Sequence, residues 1–194
     1  MSKTFENLTK AFVGESQARN RYTMYSKIAK KEGYEQIAAL FGETADNEKE
    51  HAKWFFKMAD ELNKNSEKKL DEISIETAVP LTLGDTVENL KASIAGEHFE
   101  HAELYPEFAD IAENEGYKKI ALRIRAIASV EKHHEARYKE LLKNVEQGSV
   151  FKKETKVYWI CRNCGYIYEG EEPPKKCPSC DHPESYFQVL VEKY

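Results

Sequence analysis

Glu48-Lys49-Glu50-His51 places a carboxylate and an imidazole three positions apart. On a helix that spacing stacks the two side chains one turn apart on the same face. Steps of three and four through the segment give Ile37, Leu40, Thr44, Glu48, His51, Phe55, Met58 and Leu62. This is an inward stripe whose middle is ionisable. The pattern returns as Ile120, Ile124, Ile127, Glu131, His134, Tyr138 and Leu141. Two Glu-x-x-His motifs, each at mid-stripe on its own helix, describe half of a dinuclear metal site in a four-helix bundle.

Outward from these motifs, the first helix is expected over about residues 4 to 31, with Leu8, Ala11, Glu15, Ala18, Tyr22, Tyr25 and Ala29 facing in. Gly33 ends it in a left-handed cap, and the second helix fades near Asn63. Residues 63–84 are long, charged and interrupted by Pro80, so they read as a connection. A third helix begins near Asp85 or Thr86, with the stripe Val87, Leu90, Ile94, Glu97, His101, Leu104, Phe108 and Ile111. Gly116 closes it, and a fourth helix runs over about 118–144.

The halves repeat. KEGYEQIA at 31–38 matches NEGYKKIA at 114–121, an offset of 83 that carries Glu48 onto Glu131 and His51 onto His134, whereas Gly14-Glu15 matches Gly96-Glu97 at 82. The bundle is thus a duplicated helical hairpin. The odd residue lies between Glu97 and Gly116, around Pro106, whose ring crowds the carbonyl of Ala102. A kink or widened turn is predicted at 102–106. Two hairpins joined by a long crossover make an antiparallel, ferritin-like all-α bundle over residues 1–145.

Each helix centres a glutamate on its apolar stripe: Glu15, Glu48, Glu97 and Glu131, with Glu100 one turn after Glu97. A solvated charged face accounts for glutamates such as Glu43, Glu50 and Glu140, but not for this set, flanked by Leu, Ile, Phe and Ala. Five carboxylates in one core repel each other and resist desolvation, and two cations relieve both costs. Oxygen-rich ligation with two imidazoles suits iron or manganese better than zinc. Glu48 and Glu131 are expected to bridge, with Glu15 and His51 on one metal and Glu97 and His134 on the other. Glu100 is then surplus, and it is expected to exchange with His51 as one iron changes oxidation state. Tyr22 and Tyr105 are in reach of the ligand carboxylates. His101 falls on the inward stripe, His98 and His133 point away from it, and Arg123 and Arg125 suit surface pairing.

After Tyr158 prolines, glycines and aromatics replace the stripes. Residues 146–156 read as a linker and 157–194 as a small separate domain, too short for a self-sufficient core. Cys161-x-x-Cys164 and Cys177-x-x-Cys180 supply four thiolates from two knuckles, with Gly165 and Ser179 expected at the tight turns. Spacing alone leaves structural zinc and redox iron both open. Tyr158, Trp159, Tyr166 and Phe187 are the expected small aromatic core.

Net charge is −5, so nothing in it points to nucleic acid or an anionic membrane as a partner. No stretch approaches a membrane span and the start has no apolar leader, so a cytoplasmic protein is expected. In a reducing compartment the cysteine pairs argue for metal rather than disulfides.

The run Cys-x-x-Cys-Gly-Tyr-x-Tyr followed by Cys-Pro-x-Cys resembles rubredoxin, which favours one iron in four sulfurs. With Glu15, Glu48/His51, Glu97/Glu100, Glu131/His134 and the four cysteines, the whole chain resembles rubrerythrin. The resemblance implies an oxo-bridged type di-iron centre and a peroxidase that reduces hydrogen peroxide to water in oxidative-stress defence. It implies electrons from rubredoxin-type carriers or an NAD(P)H-dependent reductase, and a homodimer in which one subunit's cysteine-bound iron lies near the other's di-iron centre. The rival readings are ferroxidase-type iron handling, a di-iron oxidase reducing dioxygen, and a non-catalytic scaffold with a zinc ribbon.

Overall fold

A computed structural model describes residues 2–192. Helix α1 spans Lys3–Lys31, with the Ser2 hydroxyl accepting from the Phe5 amide at 3.2 Å as its N-cap. Helix α2 spans Glu35–Lys64. The turn between them is closed by Gly33 at φ +85°, with the Tyr34 amide donating to the Ala29 carbonyl and the Gly33 amide to that of Lys30. That is the bond pattern of a Schellman cap, and glycine is its least strained residue. The second half repeats it: Gly116 sits at φ +88° and the Tyr117 amide donates to the Ala112 carbonyl. The sequence repeat is therefore a structural one.

The third helical run is composite. Helix α3, Thr86–Phe99, starts at a capping box in which Asp85 and Glu88 bond each other's backbone amides. A π-turn occupies Glu100–Leu104, and helix α4 continues over Tyr105–Asn114. The predicted widened turn is present, and the extra residue it absorbs accounts for the change of offset between the halves. It also changes the buried face. Phe108 points inward as expected, but Tyr105, Ala109 and Ala112 join it in place of Leu104 and Ile111, which are only half-buried. Helix α5, Lys118–Glu146, completes the bundle.

The connection of residues 65–85 is not helical, but it is anchored. Asn63 exchanges two hydrogen bonds with the backbone of Leu70, the Tyr25 hydroxyl donates to the Thr82 carbonyl, and Leu70 and Ile73 pack on the core.

The bundle interior has two apolar clusters. One contains Phe5, Leu8, Phe55, Tyr105, Phe108 and Ile124, and the other Tyr22, Tyr25, Ile37, Phe41, Leu90 and Tyr138. Between them, on all four helical runs, lie buried Glu15, Glu48, Glu97, Glu131 and His134. An acidic layer inserted between two dry clusters is the arrangement that the interrupted stripes predicted.

The tail folds into three antiparallel strands, β1 (Val157–Cys161), β2 (Ile167–Gly170) and β3 (Phe187–Val189), in the order β2-β1-β3. Trp159 and Phe187 fill its core, and the Trp159 indole donates to the Gly170 carbonyl at 2.9 Å. Tyr158 does not join them: on alternate sides of β1 it faces outward at 56% exposure, while Tyr166 is half-buried. The tail rests against the bundle end, where Ser185 packs on Gly33, and the connecting Phe151 stacks on Tyr34 with centroids 6.3 Å apart.

Candidate metal centres

Each of the two Glu-x-x-His pairs sits on an unbroken helix, so its members meet one turn apart. His51 Nδ1 lies 2.9 Å from Glu48 Oε2, and His134 Nδ1 lies 2.9 Å from Glu131 Oε2. The pairs also interlock across the bundle. His51 Nδ1 is 2.9 Å from Glu131 Oε1, and His134 Nδ1 is 3.2 Å from Glu48 Oε1. Glu48 and Glu131 thus each direct one oxygen toward either imidazole. Glu15 Oε1 adds to the His51 side at 3.9 Å and Glu97 Oε2 to the His134 side at 3.5 Å. Two four-residue groups result, Glu15/Glu48/His51/Glu131 and Glu48/Glu97/Glu131/His134, which share the two central carboxylates.

The donor atoms converge without satisfying one another. Glu15 Oε2, Glu48 Oε1, Glu97 Oε2, both oxygens of Glu131 and His134 Nδ1 are buried, and the short contacts among them lack the angular geometry of hydrogen bonds. Buried polar atoms are almost always paired, so this concentration of orphans in one layer is the signature of ligands awaiting cations. The residues fit a dinuclear metal cluster.

Protonation shows the same strain. Burial pushes Glu97 up to about 8, and burial, Glu131, Glu100 and Glu48 push Glu15 well above the ordinary range. Burial pulls the His51 imidazole down, but the Glu131 and Glu48 carboxylates outweigh it and hold the ring at about 9. Without cations the layer holds protons instead.

Outside this layer, the Tyr22 hydroxyl donates to Glu97 at 2.6 Å, and the Tyr105 hydroxyl donates to Glu15. Each tyrosine serves the carboxylate of the opposite half. Asn47, which sequence reasoning passed over, lies with Oδ1 3.3 Å from His134 Nε2 and fixes that ring from behind. Its only signal was adjacency to Glu48.

Glu100, first residue of the π-turn, is half-buried and falls in neither four-residue group. Its carboxyl is pushed well up by burial and by Glu97, Glu131 and Glu48, so it faces the same layer.

His101 departs from expectation. It is half-buried and turned to the flank of the bundle, where its Nε2 lies 2.8 Å from Glu135 Oε2. His98 points away from the inward stripe and is exposed, as expected, and it pairs with the same carboxylate at 3.0 Å. Arg125 pairs with Asp110 and Glu113 at the surface, and Arg123 stacks on Trp54 at 3.6 Å.

In the tail, Cys161 Sγ and Cys180 Sγ are 3.7 Å apart, and Cys164 Sγ and Cys177 Sγ 3.6 Å. Those spacings exceed a disulfide and match the edge of a tetrahedron whose metal–sulfur bonds are about 2.3 Å. The Gly165 amide donates to the Cys161 carbonyl and the Asp181 amide to that of Cys177. The left-handed residues are Gly165 (φ +76°) and Asp181 (φ +61°). Each directly follows the second cysteine of its pair, so Ser179 does not have the turn role expected for it. The Tyr166 amide beside Cys164 holds that thiol down at about 6, whereas burial pushes Cys161 up to about 11.

Two family models match this architecture, one described as rubrerythrin over residues 6–142 and one as the rubrerythrin rubredoxin-like domain over residues 159–188. The chain belongs to the rubrerythrin family. A putative rubrerythrin of Methanocaldococcus jannaschii is 60% identical over 100% of this chain and 96% of its own length. A nigerythrin structure described as fully reduced, all ferrous, aligns at TM-score 0.64 and 30% identity over 98% of this chain and 88% of that one. Desulfovibrio desulfuricans bacterioferritin, whose structure is described by its diiron site, aligns at TM-score 0.66 and 21% identity over 76% of this chain and 82% of that one, a likeness of fold. The family assignment makes this chain an oxidoreductase, with a di-iron carboxylate–histidine site in a ferritin-like bundle and a four-cysteine rubredoxin-like knuckle. Among the described residues no helix is long and apolar enough to cross a membrane.

Proposed function

We propose that this protein is a peroxidase that reduces hydrogen peroxide to two waters, consuming two electrons and two protons. The observation that carries the reading is the pairing, in one chain, of a buried two-metal carboxylate layer with a separate four-thiolate site. A pair of ferrous ions, when bound, supplies two electrons together to a peroxide, and a single iron in thiolate ligation returns them one at a time.

The residues have distinct tasks in this proposal. Glu48 and Glu131 would be shared by the two metals, because each directs its oxygens to both groups, while Glu15 and His51 would hold one metal and Glu97 and His134 the other. Tyr22 and Tyr105 fix the terminal carboxylates in place, and Asn47 fixes the His134 ring. Glu100 stands in reserve beside the layer and would exchange with His51 as the oxidation state of a bound iron changed, since hard carboxylate favours the ferric ion and imidazole the ferrous one. Cys161, Cys164, Cys177 and Cys180 hold the donor iron.

Residues 157–194 form the donor module and 1–145 the acceptor, joined by 146–156. Ser185 of the cysteine module packs against Gly33 at the start of α2, whereas Glu48 lies 13 residues along α2 from Glu35, on the order of 20 Å at 1.5 Å per residue. Electron transfer falls steeply with distance, so this separation supports delivery between the subunits of a homodimer. A rubredoxin-type carrier or an NAD(P)H-dependent reductase refills the thiolate iron. We place the protein in the cytoplasm, where reducing conditions keep cysteines available to metal.

The test is single-turnover reoxidation of the fully reduced protein. Hydrogen peroxide should reoxidise it faster than dioxygen at equal concentration. The reverse order would make it an oxidase or an iron-handling protein.

A further inference from the structure

We propose that His98, His101 and Glu135 form an additional, mononuclear site for a divalent transition ion on the outer flank of the bundle, separate from both centres described above. His98 stands in the last turn of α3, His101 in the π-turn that follows and Glu135 on α5. Three observations carry it. Their ligand atoms gather within bonding reach of one ion: His98 Nδ1 lies 3.0 Å from Glu135 Oε1, His101 Nε2 lies 2.8 Å from Glu135 Oε2, and the three groups cluster within 4.8 Å. The two rings meet edge-on, 5.3 Å between centroids, so their nitrogens converge on the carboxylate rather than stacking away from it. The depth is graded as well. Glu135 is buried and His101 half-buried, while His98 is open to solvent, so an ion has an entry side and room for water ligands.

His98 and His101 are three positions apart, so the helical run stacks them one turn apart, and both rings reach the Glu135 carboxylate on α5. Two imidazoles and one carboxylate are the donor set of zinc, ferrous iron or cobaltous ion, and too nitrogen-rich for magnesium or calcium. None of the three residues belongs to the dinuclear groups. Glu135 follows His134 in sequence, but neighbouring helical residues point about 100° apart. The site's competitor is Lys139, whose Nζ lies 2.6 Å from Glu135 Oε1. A bound cation displaces that ammonium to solvent, so Lys139 sets the affinity without contributing a ligand.

The test uses the protein with its di-iron and four-cysteine sites fully loaded with iron. Equilibrium dialysis against zinc should show one further equivalent bound per chain, with no iron released. His98→Ala, a change at an exposed position that leaves the bundle intact, and Glu135→Gln should each weaken that uptake by at least ~10–100-fold, and Lys139→Met should tighten it. The proposal fails if the iron-loaded protein takes up no further zinc, if zinc enters only as iron leaves, or if His98→Ala binds it unchanged.

Discussion

The Tyr22 phenol on α1 donates a 2.6 Å hydrogen bond to the Glu97 carboxylate on α3, across the axis of the bundle. Burial and the Glu97 charge push the phenol well above its ordinary pKa, so it is a fixed donor at any physiological pH. Tyr22→Phe keeps the ring and its packing and removes only the donor. The bundle should fold, and metal retention against a chelator should weaken by roughly 10–100-fold, as expected when a ligand loses its supporting hydrogen bond. Unchanged retention would show that Glu97 needs no such support.

Glu100 tests the proposed exchange. Glu100→Gln should retain two metals per chain, because neither four-residue group includes it. Its oxidised state should be destabilised, which raises the two-electron midpoint potential by about 30 mV for each tenfold loss of relative ferric affinity. Potentiometric titration of both proteins measures this. If structures of the oxidised and reduced protein showed the same ligand on the His51-side iron, the exchange would be excluded.

Removal of metal gives a pH prediction with a definite sign. In the metal-free layer burial raises Glu97 to about 8, and His51 stands at about 9 because its carboxylate neighbours outweigh burial. Both folded-state values lie above the unfolded ones, so both groups stabilise the fold at low pH, and that stability disappears as pH rises through their folded values. Between pH 5 and 9 the chelated protein should therefore lose thermal stability. Metal competes with those protons, so the iron-loaded protein should gain relative to it. The gap between their melting temperatures should widen with pH, and a gap that narrows would contradict the ligand assignment.

The knuckles separate backbone strain from packing. Gly165 has φ +76°, and an added Cβ there meets nothing within 4 Å. Gly165→Ala should therefore cost only the left-handed penalty, about 1–2 kcal/mol, and speed metal loss from the four-cysteine site in chelator. Asp181→Gly, at φ +61°, should slow that loss, and Ser179→Ala should leave it unchanged. Release followed by absorbance decides among them.

The buried acidic layer was legible because a helix makes its chemistry periodic. Glu15, Glu48, Glu97 and Glu131 each interrupt an apolar stripe, so their burial followed from spacing alone. The four cysteines were legible as two short motifs. What failed to show was whatever depended on a change of period. A strict three-and-four stripe past Glu97 puts His101, Leu104 and Ile111 inward, whereas the structure buries Tyr105 and Ala112 and keeps only Phe108 of that stripe. Tyr158 and Ser179 were misplaced for a related reason: in a short, turn-rich domain no periodicity fixes which side of a strand faces in, or which residue of a knuckle turns left-handed. The pairing of Tyr22 with Glu97 and of Tyr105 with Glu15 joins opposite halves of the chain, and no local pattern encodes it.

The π-turn can be tested by removing it. From Glu15 to Gly33 is 18 positions, from Glu97 to Gly116 is 19, and the structure places the surplus residue at Glu100–Leu104. Deleting Ala102, exposed and without a core contact, should convert the turn to regular α-helix and leave the inward register of Tyr105, Phe108 and Ala112 unchanged. The protein should fold and bind two metals through the four-residue groups. It should lose the contribution of Glu100, because the backbone shift that carries that carboxylate beside the layer is gone, and its midpoint potential should move in the same direction as that of Glu100→Gln. A deletion variant that unfolds would show that the extra residue is needed for packing. A variant that folds with an unchanged potential would show that the turn does not position Glu100.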